Sequence, residues 1–202
     1  MKHEAWGRWA GALGIEIRPE QAETLDRFER LLADRALPLG MVSAGDLQDL
    51  RGRHLVDSLR AAPLLGPSPK VVADLGTGAG LPGIPLAIVR PDLSFLLVDT
   101  RRRRLSFVEL VVDALRLANV DAVQGRVESL APPIDVCLAR ALADPIRAWS
   151  LAEPLLSPGG KLLYWAGRGF DEASGRPEGA RTSLSRSPGL ADAGPIVIMT
   201  RQ

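Results

Sequence analysis

The stretch VVADLGTGAGLPGIPL, Val71 to Leu86, places glycines at 76, 78, 80 and 83. Counted from Gly78 it spells G-x-G-x-x-G, the pattern of dinucleotide-binding loops. Counted from Asp74 it spells D-L-G-T-G-A-G, a loop that embraces an amino-acid portion and a ribose without a pyrophosphate. In both readings glycines let backbone N–H groups approach a ligand at a helix N-terminus. A nicotinamide-type loop needs its strand to run directly into the first glycine. Here the apolar run VVADL stops two residues short of Gly78, with Asp74 near its tip and Gly76 opening the turn. No second mononucleotide-binding half follows, so the second reading is favoured.

Either side of this loop the texture differs. Residues 1–66 read as a helical extension. In PEQAETLDRFERLLADRAL, Pro19 stands at a first helical position, and Leu25, Phe28, Leu31 and Leu32 recur at helical spacing. DLQDLRGRHLVDSLRAAPLL repeats the pattern with Leu47, Leu50, Leu55 and Leu59, and Asp46 suits its N-cap. GPSPK then breaks the chain, and residues 67–202 form the second unit of one molecule. There KVVADL, SFLLVD, VDAVQG, IDVCLARA and KLLYWAG read as strands, the last after a Pro-Gly-Gly turn. PGIPLAIVR, RRRRLSFVELVVDALRLA and the region of DPIRAWSLAEPLL read as helices between them. This alternation predicts an α/β fold, a parallel sheet with helices on both faces. Residues 167–193, rich in Gly, Ser, Pro and Arg, read as loops with one weak strand near ARTSLSR. GPIVIMTR closes the chain as a strand.

Composition narrows the function classes. A chain of 202 residues with 46% hydrophobic content supports one domain with a proper core. The net charge of +1 gives no bulk attraction to nucleic acid or membrane, so any basic site is local. All but three of the 25 basic residues are arginine, whose planar fork suits phosphates and carboxylates, although coding bias produces the same excess. A single cysteine, Cys137, excludes an internal disulfide, and with only His3 and His54 besides, no metal centre is expected. The N-terminal residues hold an early acid and no long apolar core, and no run approaches the roughly 18 apolar residues of a membrane span. A cytoplasmic protein without membrane association is expected.

Three further features carry candidate chemistry. Asp99 ends SFLLVD, where a carboxylate accepts hydrogen bonds from both ribose hydroxyls of an adenosine ligand or caps the helix that follows. TRRRRL, Thr100 to Leu105, is the one dense basic run. Arginines at a helix start oppose the dipole by roughly a few tenths of a kcal/mol. RNA phosphate would offset this, and a solvated charged face is the alternative. His54 and Asp57 fall one helical turn apart, either as an internal hydrogen-bonded pair or as part of a substrate side.

Four segments together are more specific. DLGTGAGLPGIPLAIVRPD resembles the first motif of class I S-adenosylmethionine-dependent methyltransferases. Its LPGIPL continuation resembles the glucose-inhibited division protein B family, the bacterial methyltransferase G of small-subunit (16S) ribosomal RNA. RHLVDSL, Arg53 to Leu59, resembles that family's Arg-His-x-x-Asp-Ser segment. VDTRRRRLSF resembles its Asp-Ser-x-x-Lys-Arg-x-x-Phe segment, with Arg103 and Arg104 as the basic pair. LANVDAVQGRVESL, followed by Ala139 to Ala141, resembles its Asn-Val…Arg-x-Glu and Ser-Arg-Ala pieces. The segments keep their order over about residues 50–166.

The resemblance implies a class I, Rossmann-like methyltransferase fold with an N-terminal helical extension, and S-adenosyl-L-methionine as cofactor. It implies methylation of guanine N7 in small-subunit ribosomal RNA, free or in the 30S particle, by a monomer. Gly76, Gly78 and Leu81 then line the cofactor loop, Asp99 faces the ribose, and Val127 and Glu128 sit at the adenine end. Glu128 would accept from the adenine amino group, or is an exposed loop acid. Arg140 stands at the tip of the fourth strand beside the methyl donor, in the apolar run VCLARAL. It needs an anionic partner there, either the cofactor carboxylate or a structural acid such as Asp74. Arg53, His54, Arg103 and Arg104 fall on the RNA side. Guanine N7 offers an in-plane lone pair and no proton to lose, so no general base is expected, and alignment and charge stabilisation carry the rate.

Some positions depart from the family pattern. Its fifth strand usually ends in Lys-Gly, where this chain has Ala166-Gly167. Arg168 substitutes only if the strand continues, since alternate residues face one way. The family's Trp-Asn and Asn-Leu-Thr elements fall on Arg35-Ala36 and Gly40-Met41-Val42. The cofactor half of the pattern is kept, and several substrate-side positions are not.

Overall fold

Strands β1 (Val71–Leu75), β2 (Ser94–Asp99), β3 (Val120–Gln124), β4 (Ile134–Arg140) and β5 (Leu156–Trp165) run parallel, in the order β3-β2-β1-β4-β5. The structure is a computed structural model that describes residues 2–43, 45, 49–67, 70–171, 176–187, 190 and 193–202. The expected N-cap Asp46, Leu47 and the His3 side chain lie outside the described residues. β6 (Ala180–Ser185) and β7 (Ile196–Arg201) complete the sheet in the order β5-β7-β6. β7 is antiparallel to both neighbours and extends the parallel sheet that the alternation predicts. An antiparallel return from β6 needs no crossover helix, and residues 186–195 supply the connection.

The central strands are apolar on both faces. Val72, Ala73 and Leu75 of β1 and Val136, Cys137, Leu138 and Ala139 of β4 are all buried. Burial of both faces is what helices on either side of a parallel sheet produce. One apolar cluster joins Leu25, Phe28, Leu32, Leu55 and Leu59 of the N-terminal segments to Val72, Ile84, Phe95 and Val108. A second cluster on the other face gathers Ala148, Trp149 and Leu155 with Cys137, Leu162 and Met199. The N-terminal segments therefore share a core with the sheet.

The helices are α1 (Lys2–Leu13), α2 (Pro19–Leu31), α3 (Asp57–Leu59), α4 (Gly83–Val89), α5 (Arg102–Leu115) and α6 (Pro145–Ala152). Pro19 opens α2 as its spacing requires. Gln21 accepts from the Arg18 N–H at 2.9 Å and donates to the Ile88 carbonyl at 3.0 Å, docking α2 on the last turn of α4. The two N-terminal helical patterns are interrupted by π-helical turns, Leu32–Ala36 after α2 and Arg51–Val56 before α3. The second of these carries Arg53 and His54, and π turns concentrate at functional sites.

Two boundaries differ from the pattern. α5 stops at Leu115 because Arg116 turns left-handed, with φ 55°. Pro158-Gly159-Gly160 is a bulge inside β5 instead of a turn before it. Ile134 pairs with Leu156 and Val136 with Lys161, so β5 spends the extra residues where β4 spends two.

Candidate functional site

β1 ends at Leu75, so Gly76 is the first residue after the strand and the backbone follows the register counted from Asp74. Gly76 and Gly78 both have positive φ, 73° and 60°, which only glycine adopts without strain. A Cβ on Gly76 would lie 2.7 Å from Leu142 Cδ1, whereas one on Gly78 would only reach ordinary contact with the Gly76 carbonyl oxygen at 3.9 Å. The Thr77 N–H donates to the Val98 carbonyl at 2.9 Å and pins the loop to β2. Leu81 is buried beneath the loop, just before α4 begins at Gly83.

Asp74 is 1% exposed, and its Oδ2 accepts from the Thr77 hydroxyl at 2.7 Å and the Gly83 N–H at 2.9 Å. Burial pushes its carboxyl up to about 6, against the two hydrogen bonds and the nearby charge of Arg140, which pull it down. Its structural task is to tie the strand end to the helix start.

Asp99 is not the N-cap of α5; that position is Arg101, and Asp99 braces the turn just before it. Its Oδ1 accepts from the Arg101 N–H at 2.8 Å. Its Oδ2 accepts from the Gly78 N–H at 3.2 Å and faces Arg104 Nη1 at 3.4 Å. A carboxylate has about four lone-pair sites, so acceptor capacity toward a ribose remains. The Gly125 N–H donates to the Asp99 carbonyl at 3.2 Å, which brings the loop after β3 to the same rim. Val127 opens a 3-10 turn there and is buried. Glu128 is exposed and faces Arg147 Nη2 at 3.9 Å.

Arg140 ends β4 with its side chain 18% exposed. Its Nη1 lies 3.4 Å from Asp57 Oδ2 and its Nη2 lies 3.1 Å from His54 Nδ1. The carboxylate in direct contact is therefore Asp57, while Asp74, turned toward Thr77 and Gly83, meets Arg140 only through its charge. His54 and Asp57 meet through Arg140, and Asp57 also accepts from Arg60 Nη1 at 2.7 Å. Beyond Arg140, Ala141 takes a left-handed φ of 54°, a strained conformation for a residue with a Cβ. The turn sets Leu142 on Gly76, and the Ala143 carbonyl accepts from Tyr164 OH at 3.1 Å. Asp144 then caps α6, accepting from the Arg147 N–H at 2.9 Å. Leu142 and Tyr164 carry no sequence signal of their own, because their partners are distant in the chain, and the same holds for the Arg60 bonds to Ser187 and Gly194.

On the basic run, Arg102 pairs with Glu109 at 2.8 Å and Arg104 faces Asp99. Arg103 is exposed on α5, and Arg53 is exposed on the π turn. β1 lies between β2, which leads into α5, and β4, so the two arginine groups occupy different sectors of the rim. β5 ends at Trp165, and Arg168 lies in a turn closed by the Phe170 N–H on the Gly167 carbonyl. The strand does not continue to Arg168, so strand alternation does not align Arg168 with Ala166. An open groove of about 270 Å³, lined by Ile15, Arg18, Gln21, Pro63 and Val89, lies near the amino ends of the strands, away from this rim. Among the described residues no helix is long and apolar enough to cross a membrane.

The family model described as rRNA small subunit methyltransferase G matches residues 21–182. The ribosomal RNA small subunit methyltransferase G of Methylococcus capsulatus is 39% identical over 182 residues, covering 89% of this chain and 88% of that protein. Its counterpart in Acidiphilium cryptum is 35% identical over 178 residues, covering 86% and 82%. The solved structure of a SAM-dependent methyltransferase from Aquifex aeolicus shares the fold with a TM-score of 0.52 at 16% identity, covering 71% of this chain and 88% of that one. The sheet order, the glycine rim and these likenesses agree: the chain belongs to the rRNA small subunit methyltransferase G family.

Proposed function

We propose that the protein is an S-adenosylmethionine-dependent methyltransferase that modifies N7 of a guanine in small-subunit ribosomal RNA. In this reading residues 67–202 are the methyltransferase domain, residues 1–66 its helical extension, and the enzyme acts as a cytoplasmic monomer. One observation carries it. Gly76 to Gly78, Asp99 and the loop 125–128 form a hydrogen-bonded rim across three neighbouring strand ends, in a chain of this family.

The residues present fit the cofactor. The glycine loop sets the Gly78 backbone on the Asp99 carboxylate with no side chain within 4 Å of a Cβ there, and Gly78 does not follow directly on the strand as in a pyrophosphate loop. Gly76, Gly78 and Leu81 would hold the amino-acid end, Asp99 the ribose, and Val127 and Glu128 the adenine. When bound, S-adenosylmethionine supplies an electrophilic methyl group on a sulfonium. Arg140 stands at the reacting end and holds positive charge there. Guanine N7 has no proton to remove, so the chain's task is to align the base and exclude competing geometries. Arg53, Arg103 and Arg104 would meet RNA phosphates.

The test is transfer of labelled methyl to 30S subunits from a strain lacking this gene. The expected product is a single N7-methylguanine, and unchanged N7-methylguanine in the deletion strain's own ribosomal RNA would remove the assignment. Ala166 in place of the family's lysine favours a second reading, a related methyltransferase with another RNA target. Label at a different nucleotide in the same assay would establish it.

A further inference from the structure

Arginine has only donors, so the 3.1 Å contact between Arg140 Nη2 and His54 Nδ1 requires an unprotonated Nδ1. His54 is then neutral and carries its proton on Nε2. Asp57 divides its carboxylate between two arginines, Oδ1 to Arg60 at 2.7 Å and Oδ2 to Arg140 at 3.4 Å. Its backbone carbonyl accepts from Trp165 Nε1 at 3.1 Å, which fastens the segment to the end of β5. Arg60 is buried and also donates to Ser187 Oγ at 3.1 Å and to the Gly194 carbonyl at 2.7 Å. Arg140 is thus gripped at both guanidinium ends by groups from the N-terminal segment, and that segment is itself locked to β5 and to the chain entering β7.

We propose that His54 and Asp57 are positioning residues, a two-point clamp from the N-terminal segment that fixes the Arg140 guanidinium at the reacting end. This rests on the reading of the site as a methyltransferase centre. It also moves His54 from the RNA side to the interior of the machinery. A guanidinium held by one acceptor of each kind cannot rotate about its terminal bond. Its remaining N–H groups are then aimed in one direction, which pre-organisation requires and a freely turning arginine does not supply.

The experiment compares His54→Leu, His54→Asn and Asp57→Asn in the full-length protein. Asparagine returns an acceptor near the Nδ1 position, and leucine does not. His54→Leu is expected to lower kcat for methyl transfer about tenfold with the KM for 30S subunits changed less than about twofold. His54→Asn is expected to restore kcat to within about threefold. A raised KM with unchanged kcat in His54→Leu would make His54 an RNA contact and overturn the clamp. Equal loss in the leucine and asparagine variants would overturn it too. An independent readout needs neither cofactor nor RNA. Nitrogen-15 NMR of the histidine rings, assigned with His54→Asn, is expected to show the Nε2-protonated neutral tautomer for His54. That signature should be disturbed in Asp57→Asn and lost in Arg140→Gln. An Nδ1-protonated ring in the unmodified protein overturns the proposal whatever the assays show. If the unmodified protein methylates no ribosomal RNA, the substrate reading fails while the NMR result still decides the clamp.

Discussion

The loops after β1 and β4 touch each other, Leu142 against Gly76, yet they are held by opposite means. The loop after β1 is held by its own neighbourhood. Asp74 binds Thr77 and Gly83, and Gly78 binds Asp99 at the end of the next strand. The loop after β4 begins at an arginine whose grips come from His54 and Asp57, and Asp57 is braced in turn by Arg60 and the chain near Gly194. One half of the rim is a local motif; the other exists only once the whole chain has folded. Substitutions in the first half should therefore cost the most stability, and those in the second half should cost less.

The largest effect is expected at Asp74. Asp74→Ala leaves the Thr77 hydroxyl and the Gly83 N–H buried without their acceptor, whereas Asp74→Asn keeps an oxygen for both. The alanine variant is expected to be about 2–4 kcal/mol less stable than the asparagine variant in urea melts. A pH series adds a sign. The folded chain holds the Asp74 proton more tightly, at about 6 against 3.8. The resulting stability is complete below pH 3.8 and is lost as pH rises through about 6, an amount on the order of 3 kcal/mol. Asp74→Asn should lack that component, so its stability relative to the unmodified protein should rise between pH 4 and 7. A constant difference would show that burial does not burden this carboxylate.

Gly83 comes next. A Cβ there would lie 2.8 Å from Asp74 Oδ2 and would press on Leu97, so Gly83→Ala forces α4 away from the sheet. The expected loss is about 1–3 kcal/mol by thermal or urea unfolding, together with weaker binding of S-adenosylhomocysteine. A stable variant that still binds would mean that the close approach of α4 is not what shapes the loop.

The same contrast explains what could be read from the residues alone. Asp74, Gly76 and Asp99 lie within one strand–loop–helix–strand unit, so spacing and residue type suffice to place them, and helix and strand periods locate β1 to β4. Residues 158–160 read as a turn and form a bulge inside β5, because Pro-Gly-Gly serves both equally well and only pairing with β4 decides. The direction of β7 is set by its neighbours, not by its own apolar run. Arg140 announced a need for an anion without naming it. Asp57 and Asp74 both lie in motif segments, and only the folded geometry separates them, since Asp74 was already engaged by Thr77 and Gly83.

Arg60 tests the second half directly. Arg60→Met removes the ion pair to Asp57 and the bond to the Gly194 carbonyl, but Asp57 keeps Arg140 and partial exposure. The expected cost is about 1–2 kcal/mol, smaller than for breaking a fully enclosed pair. Hydrogen exchange should quicken in the described parts of residues 186–195 before the sheet responds. If exchange accelerates uniformly instead, the brace on Asp57 is part of the global core and the two halves of the rim are not separately held.

The smallest stability effects belong to α5, where a binding measurement is the sharper probe. Arg102 and Glu109 are seven residues apart, two helical turns, with side chains 60% and 41% exposed. An exposed pair of this kind contributes little, so Arg102→Gln should change stability by less than about 0.5 kcal/mol. Arg103 is equally exposed and forms no ion pair among the described residues, which leaves its charge available to an RNA phosphate. Arg103→Gln should likewise leave stability unchanged while lowering the slope of log affinity for 30S RNA against log salt by about 0.7–0.9. Arg102→Gln should lower it less, because Glu109 already neutralises that charge. An unchanged slope in Arg103→Gln would place the RNA on the β4 side of the rim. The locally built half would then serve the cofactor alone, and the half assembled from distant segments would carry the substrate.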